Sequence, residues 1–165
     1  MTNDTRKMMH LTLFLTLSIV LHAFDPGLNV LGAKLGIANI VGIIVLKWYG
    51  PKAMITNNLL RVLLVSIMRA TLLSIPFYTS LAGVSLSSLV VIILYKLFNP
   101  SVLMLSVASS IFHPIGQIIV ISRIYSLNQV FILLPLLLIL SVTTGVVTGI
   151  ISTKTLDRLN RNNFK

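Results

Sequence analysis

Six long apolar runs, each closed by a helix-breaking cluster, constrain this chain more than any other feature. The runs cover 9–24, 28–46, 53–73, 79–98, 102–121 and 130–152. Between them stand Asp25-Pro26-Gly27, Tyr49-Gly50-Pro51, Ser74-Ile75-Pro76, Asn99-Pro100-Ser101 and Ser126-Leu127-Asn128. Proline, glycine and asparagine stop helices for separate physical reasons: a missing donor, backbone freedom and local side-chain bonding. A run of about 20 apolar residues is what a helix needs to cross a bilayer. The pattern predicts an all-α polytopic membrane protein of six transmembrane helices, forming one integral membrane domain over 1–165. Connections this short make successive helices antiparallel neighbours.

Charge supports that class and excludes others. Only 10% of residues are charged, with 13 Lys and Arg against 3 acids, for a formal net charge of +10. The acids are Asp4, Asp25 and Asp157. In a soluble chain this balance would suggest nucleic acid, but a membrane bundle carries basic residues at its cytoplasmic helix ends, so no nucleic-acid partner is expected. Nine of the basic residues lie at the termini and at the turns near 50 and 99, namely Arg6, Lys7, Lys47, Lys52, Lys96, Lys154, Arg158, Arg161 and Lys165. The positive-inside rule therefore puts both termini in the cytoplasm of a multi-pass plasma-membrane protein. The first run follows Arg6 and Lys7 like a signal peptide, but no small-x-small cleavage site precedes Asp25, and it reads as retained.

Polar residues inside the runs carry the functional information, because a charge in hydrocarbon costs several kcal/mol. At about 1.5 Å per residue, Lys34 lies about 9 Å from the outer end of its helix and Asn39 about 17 Å. Arg69 falls near the outer end of the third helix, and Arg61 about 12 Å below it. His22 and Asp25 close the outer end of the first helix, and Arg123 that of the fifth. Cations thus outnumber acids in the outer half, which suggests an outward-opening pocket for an anionic or polyoxygenated group. Alternatively, Lys34 and Arg69 snorkel to the headgroups and Arg123 is an interfacial anchor. In the fifth helix His113 and Gln117 share one face, with Ser106 two turns earlier. Pro114 frees a backbone carbonyl beside them. This pair serves either a ligand or an interhelical hydrogen bond. Gly32-x-x-x-Gly36 and Gly145-x-x-x-Gly149 have the spacing of close helix contacts.

Catalytic signatures are missing from the sequence. There is no Walker A motif, no G-x-S-x-G, no H-E-x-x-H and no aspartate-rich run that could hold Mg²⁺ on a diphosphate. With no cysteine and few histidines, no metal site and no cofactor are expected. The chain reads as a substrate-binding membrane subunit, with any ATP hydrolysis done by partners.

Several ordered motifs carry a resemblance. Pro26-Gly27 followed by Lys34-Leu35-Gly36-Ile37-Ala38-Asn39 resembles P-G-x-K-x-G-x-A-N of the Gx transporter family. Arg61-Val62-Leu63-Leu64 resembles its R-V-L-L, Ser80-Leu81-Ala82-Gly83 its S-L-x-G, His113 to Gln117 its H-N-x-G-Q, and Gly145 to Gly149 its G-x-x-T-G. The chain departs from the family at Pro114, where Asn is usual, and at Arg69, where a small or apolar residue is usual. The family is labelled heptaprenyl diphosphate synthase component I and is similar to S components of energy-coupling factor (ECF) transporters. The resemblance implies a six-helix S-component fold that uses a transmembrane scaffold subunit and two cytoplasmic ATPase subunits. It implies a small-molecule substrate, anionic or isoprenoid-related, with Lys34, Asn39, Arg61, His113 and Gln117 as the matching polar positions. Arg69 joins them as a substrate-binding candidate by its place on the third helix. A second implied role is a non-catalytic subunit that assists prenyl diphosphate or quinone synthesis or an electron-transfer system.

Overall fold

Gly50 shows how the sequence punctuates this chain. Its φ of +86° is open to glycine and strained for L side chains, and it ends one helix while Pro51 begins the next. The computed structural model describes residues 3–24, 38–126 and 128–161. These form α1 (Asn3–Phe24), α2 (Asn39–Tyr49), α3 (Pro51–Met68), α4 (Ile75–Phe98), α5 (Val102–Tyr125) and α6 (Leu134–Arg161), with a 3-10 segment, Asn128–Leu133, before α6. No strand occurs among the described residues.

The helices differ from the apolar runs at their ends, for local reasons. α1 begins six residues before the apolar run, where Asp4 in its first turn favours the positive end of the helix dipole. α3 stops at Met68 although apolar residues continue to Leu73. The Thr71 amide donates to Ser66 O (2.8 Å) and the Ala70 amide to Ile67 O (3.0 Å). This is the Schellman pairing, with Ala70 left-handed at φ +53° where glycine is usual. α5 starts as the run does, because Ser101 caps it by accepting from the Met104 amide (3.2 Å). α6 continues nine residues beyond its apolar run, through a basic last turn with Arg158 and Arg161. The first part of the second apolar run lies outside the described residues, and with it Lys34, Asp25 and Gly32-x-x-x-Gly36.

Among the described residues, three segments are long and apolar enough to cross a membrane: Ile75–Phe98, Val102–Tyr125 and Gln129–Arg161. α2 is a shorter apolar helix, and α1 and α3 carry more polar and charged side chains. α2 occupies the middle of the bundle, with every residue from Asn39 to Leu46 buried. Val41, Ile43, Val45 and Leu46 meet Met54 of α3, Val91 of α4 and Leu105 of α5 in the main core. Ile40 and Ile44 reach Leu156 of α6. α4 packs along α5 and α5 along α6, the two most extensive pairings. The outward faces are apolar, with Leu63 and Ile67, Leu89 and Ile93, or Ile139 and Val147 exposed, while about half of the buried side chains are polar. That inversion of a water-soluble pattern suits a lipid surrounding.

Candidate functional site

The polar side chains of the interior gather on facing surfaces of α2, α3, α4 and α5. On α3, Asn57, Asn58 and Arg61 recur at three- and four-residue spacing, which puts them on one inward face. On α5, Ser106, Ser109, Ser110, His113 and Gln117 form a buried stripe of the same kind. Ser88 of α4 accepts from Asn58 Nδ2 (3.0 Å). Asn39, Asn58, Ser88 and Ser109 then surround one small gap at the junction of four helices, too narrow for a water molecule.

Arg61 is the most distinctive member. It is 1% exposed, the largest fully buried side chain among the described residues. Its Nη1 donates to Ala38 O (2.5 Å) and its Nη2 to Asn39 Oδ1 (3.0 Å). The planar guanidinium is thereby fixed against the first turn of α2, immediately after the segment that carries Lys34. Two sequence-nominated residues, Asn39 and Arg61, are thus in direct contact although 22 positions apart.

His113 and Gln117 form a second pair, with Gln117 Nε2 3.1 Å from His113 Nε2. A carboxamide and an imidazole each offer a donor and an acceptor, so the two side chains can pair in either sense. Two glycines set the pair's position. A Cβ on Gly83 would lie 2.9 Å from His113 O and 3.0 Å from Gln117 Cγ, so α4 can approach this turn of α5 only without a side chain there. Gly116 answers from α5, where a Cβ would meet Ala82 O at 2.7 Å. Ser106, two turns before His113, hydrogen-bonds Thr148 of α6 (2.8 Å). Gly145 and Gly149 lie against the α5 backbone at Val107 and Leu103.

The structure does not bring every nominated residue into this group. Arg69 is the C-cap of α3 and its side chain is exposed, two turns beyond Arg61. Arg123 is exposed near the end of α5, and His22 is buried at the end of α1. Lys34 lies outside the described residues. Asn57 and Asn58 were not nominated from the sequence. Their signal was available, since Asn57 precedes Arg61 by one turn in an otherwise apolar helix.

Chemically, the assembly offers a fixed guanidinium, neutral amides, hydroxyls and one imidazole. Such groups recognise oxygen-rich or anionic ligands by donation. Among the described residues no cluster of His, Asp, Glu or Cys is suited to a metal ion.

No curated protein and no solved structure matches the chain. A protein family does, over residues 11–155, a span that holds α2 to α5 whole, most of α1 and α6, and every polar residue of the interior group. Its description names one component of a synthase, which implies a partner subunit. The chain belongs to the family described as heptaprenyl diphosphate synthase component I.

Proposed function

We propose that this chain is the substrate-binding subunit, or S component, of an ECF-type transporter, built as six membrane spans with both termini in the cytoplasm. Its cargo is a small anionic or isoprenoid-related molecule taken from outside the plasma membrane. Arg61, positioned by Asn39, holds the anionic group; Lys34 lies five residues before Asn39 on the same stretch of chain. His113 and Gln117 contribute polar contacts, and Arg69 stands at the rim. A transmembrane scaffold subunit and two cytoplasmic ATPases supply the energy for release inward.

One observation carries this reading: a fully buried guanidinium at the centre of a membrane bundle. Burying a charge costs several kcal/mol, and helices retain one there for a ligand, an ion path or a counter-charge. A second reading has its own support in the family description, which favours a non-catalytic membrane subunit that assists prenyl diphosphate synthesis.

Native mass spectrometry of the protein, affinity-purified from its own membrane, separates the two. A scaffold subunit, two ATPases and a retained anionic ligand that disappears in Arg61→Gln support the transporter. A prenyl synthase subunit without ATPases supports the second reading, and a ligand unaffected by Arg61→Gln removes Arg61 from the site.

A further inference from the structure

A crevice separates α1 from α3 along one flank of the bundle, with a volume of about 1270 Å³ including its open mouth. Both walls run the same way. Lys7 and Lys52 stand at one end, and Met8, Leu11 and Leu15 of α1 face Leu60 of α3 along the rest. From Lys7 to Leu15, and from Lys52 to Leu60, each wall advances eight residues, or about 12 Å. The cleft is therefore cationic at one end and apolar along its length.

Its polar wall atoms fall into two kinds. Thr12 and Thr56 are spent on their own helices, donating to Met8 O (3.0 Å) and Lys52 O (3.1 Å). The Tyr49 hydroxyl pairs with His10 Nδ1 (2.6 Å). Asn57 differs: it is 4% exposed, and neither its Oδ1 nor its Nδ2 has a hydrogen-bond partner among the described residues. A buried amide without partners forfeits its hydration with nothing in return, so the residue is unfavourable here unless something else meets it. Asn57 lies five residues, about 7 Å, further in than Lys52.

We propose that this crevice is a binding site for an anionic phospholipid. The phosphate docks between Lys7 and Lys52, an acyl chain lies along Leu11, Leu15 and Leu60, and the Asn57 amide bonds the ester oxygens that join head to tail. The spacing suits that order: charge at the mouth, one amide a turn and a half inside, hydrocarbon beyond. Asp4 lies one turn before Lys7 and is the acid of α1; with Arg6, Lys7 and Lys52 nearby, the mouth keeps a net positive charge. Arg61 is not part of the wall, so the site is distinct from the one proposed above.

The test is native mass spectrometry of the full chain released from micelles containing equal amounts of dioleoyl phosphatidylglycerol and dioleoyl phosphatidylcholine. One phosphatidylglycerol per chain should be retained in preference to phosphatidylcholine. The Lys7→Gln/Lys52→Gln variant should cut that preference about tenfold, the scale of two partly exposed ionic contacts, while Lys7→Arg/Lys52→Arg keeps it. Leu15→Trp, which fills the apolar part, should reduce retention of both lipids without changing the preference. Equal retention of the two lipids, or a preference untouched by the glutamine pair, overturns the proposal. Displacement of phosphatidylglycerol by geranylgeranyl phosphate at equal concentration also overturns it, by identifying a single-chain phosphate as the better occupant.

Discussion

A single methyl group added at Gly116 should force α4 and α5 apart. The Cβ of Gly116→Ala would lie 2.7 Å from Ala82 O and 3.0 Å from Gly83 Cα, both backbone atoms that no rotamer change can move. Ordinary contact begins at 3.4 Å, so the helices must separate by about 0.7 Å at this point. A gap of that size forfeits roughly a quarter of each dispersion well, and about 50 atom pairs at about 0.15 kcal/mol then lose about 2 kcal/mol. Alanine recovers at most about 1 kcal/mol of helix propensity, which leaves a net destabilisation of about 1 kcal/mol or somewhat more. Gly42→Ala provides the contrast. Its Cβ meets the end of a side chain, Asn58 Oδ1 at 2.8 Å, which can swing away. The cost is the Asn58–Ser88 hydrogen bond, about 1 kcal/mol, offset by a similar gain in propensity. Reversible unfolding in mixed micelles, followed by helical circular dichroism, should therefore show Gly116→Ala clearly weakened and Gly42→Ala near neutral. If Gly116→Ala unfolds at the same denaturant fraction as the parent, or Gly42→Ala loses as much, backbone proximity is not what holds α4 against α5.

Two further outcomes rest on named contacts. Ala70→Gly should raise stability by about 1 kcal/mol in the same assay, because Ala70 is left-handed at φ +53° in the cap of α3, where a Cβ is penalised; an unchanged or lower midpoint would mean that the cap geometry is wrong. For the bond between Ser106 and Thr148 (2.8 Å), a double-mutant cycle with Ser106→Ala and Thr148→Val should give a coupling of about 1 kcal/mol, and strict additivity would show that the two hydroxyls do not support each other.

Much of this architecture is legible in the sequence because helix breakers act locally. Gly50-Pro51 and Asn99-Pro100-Ser101 stop one helix and start another through backbone rules that need no tertiary context. The end of α3 is not legible in that way. Arg69-Ala70-Thr71-Leu72-Leu73 contains no breaker, and the turn follows from hydrogen bonds back to Ser66 and Ile67 with alanine in a glycine conformation. Arg69 consequently sits at an exposed cap, still near the end of the third helix. The pairing of Asn39 with Arg61 is likewise hidden in the chain, since periodicity assigns each to an inward face without saying which faces meet. His113 and Gln117 are visible because one turn of a single helix relates them.

The interior polar groups do two kinds of work, and their chemistry tells them apart. In lipid, apolar side chains gain little by meeting one another rather than a hydrocarbon tail, so helix order falls to close backbone approach and interhelical hydrogen bonds. The stripe on α5 supplies both: Ser106 bonds α6, Gly116 admits α4, and Ser109 meets the Asn39–Asn58 junction. Hydroxyls, amides and missing side chains suffice for that task at small cost. A guanidinium does not belong to that economy, because its desolvation far exceeds what one more helix contact returns. Ser106, Thr148 and Gly116 are therefore explained by packing, whereas the function proposed above gives Arg61 a role beyond its bonds to Ala38 and Asn39. The same distinction applies at Asn57, a buried amide that leaves both ends unmet by the helices around it. These two positions, one turn apart on α3, are where substitution should change what the protein binds more than how well it folds.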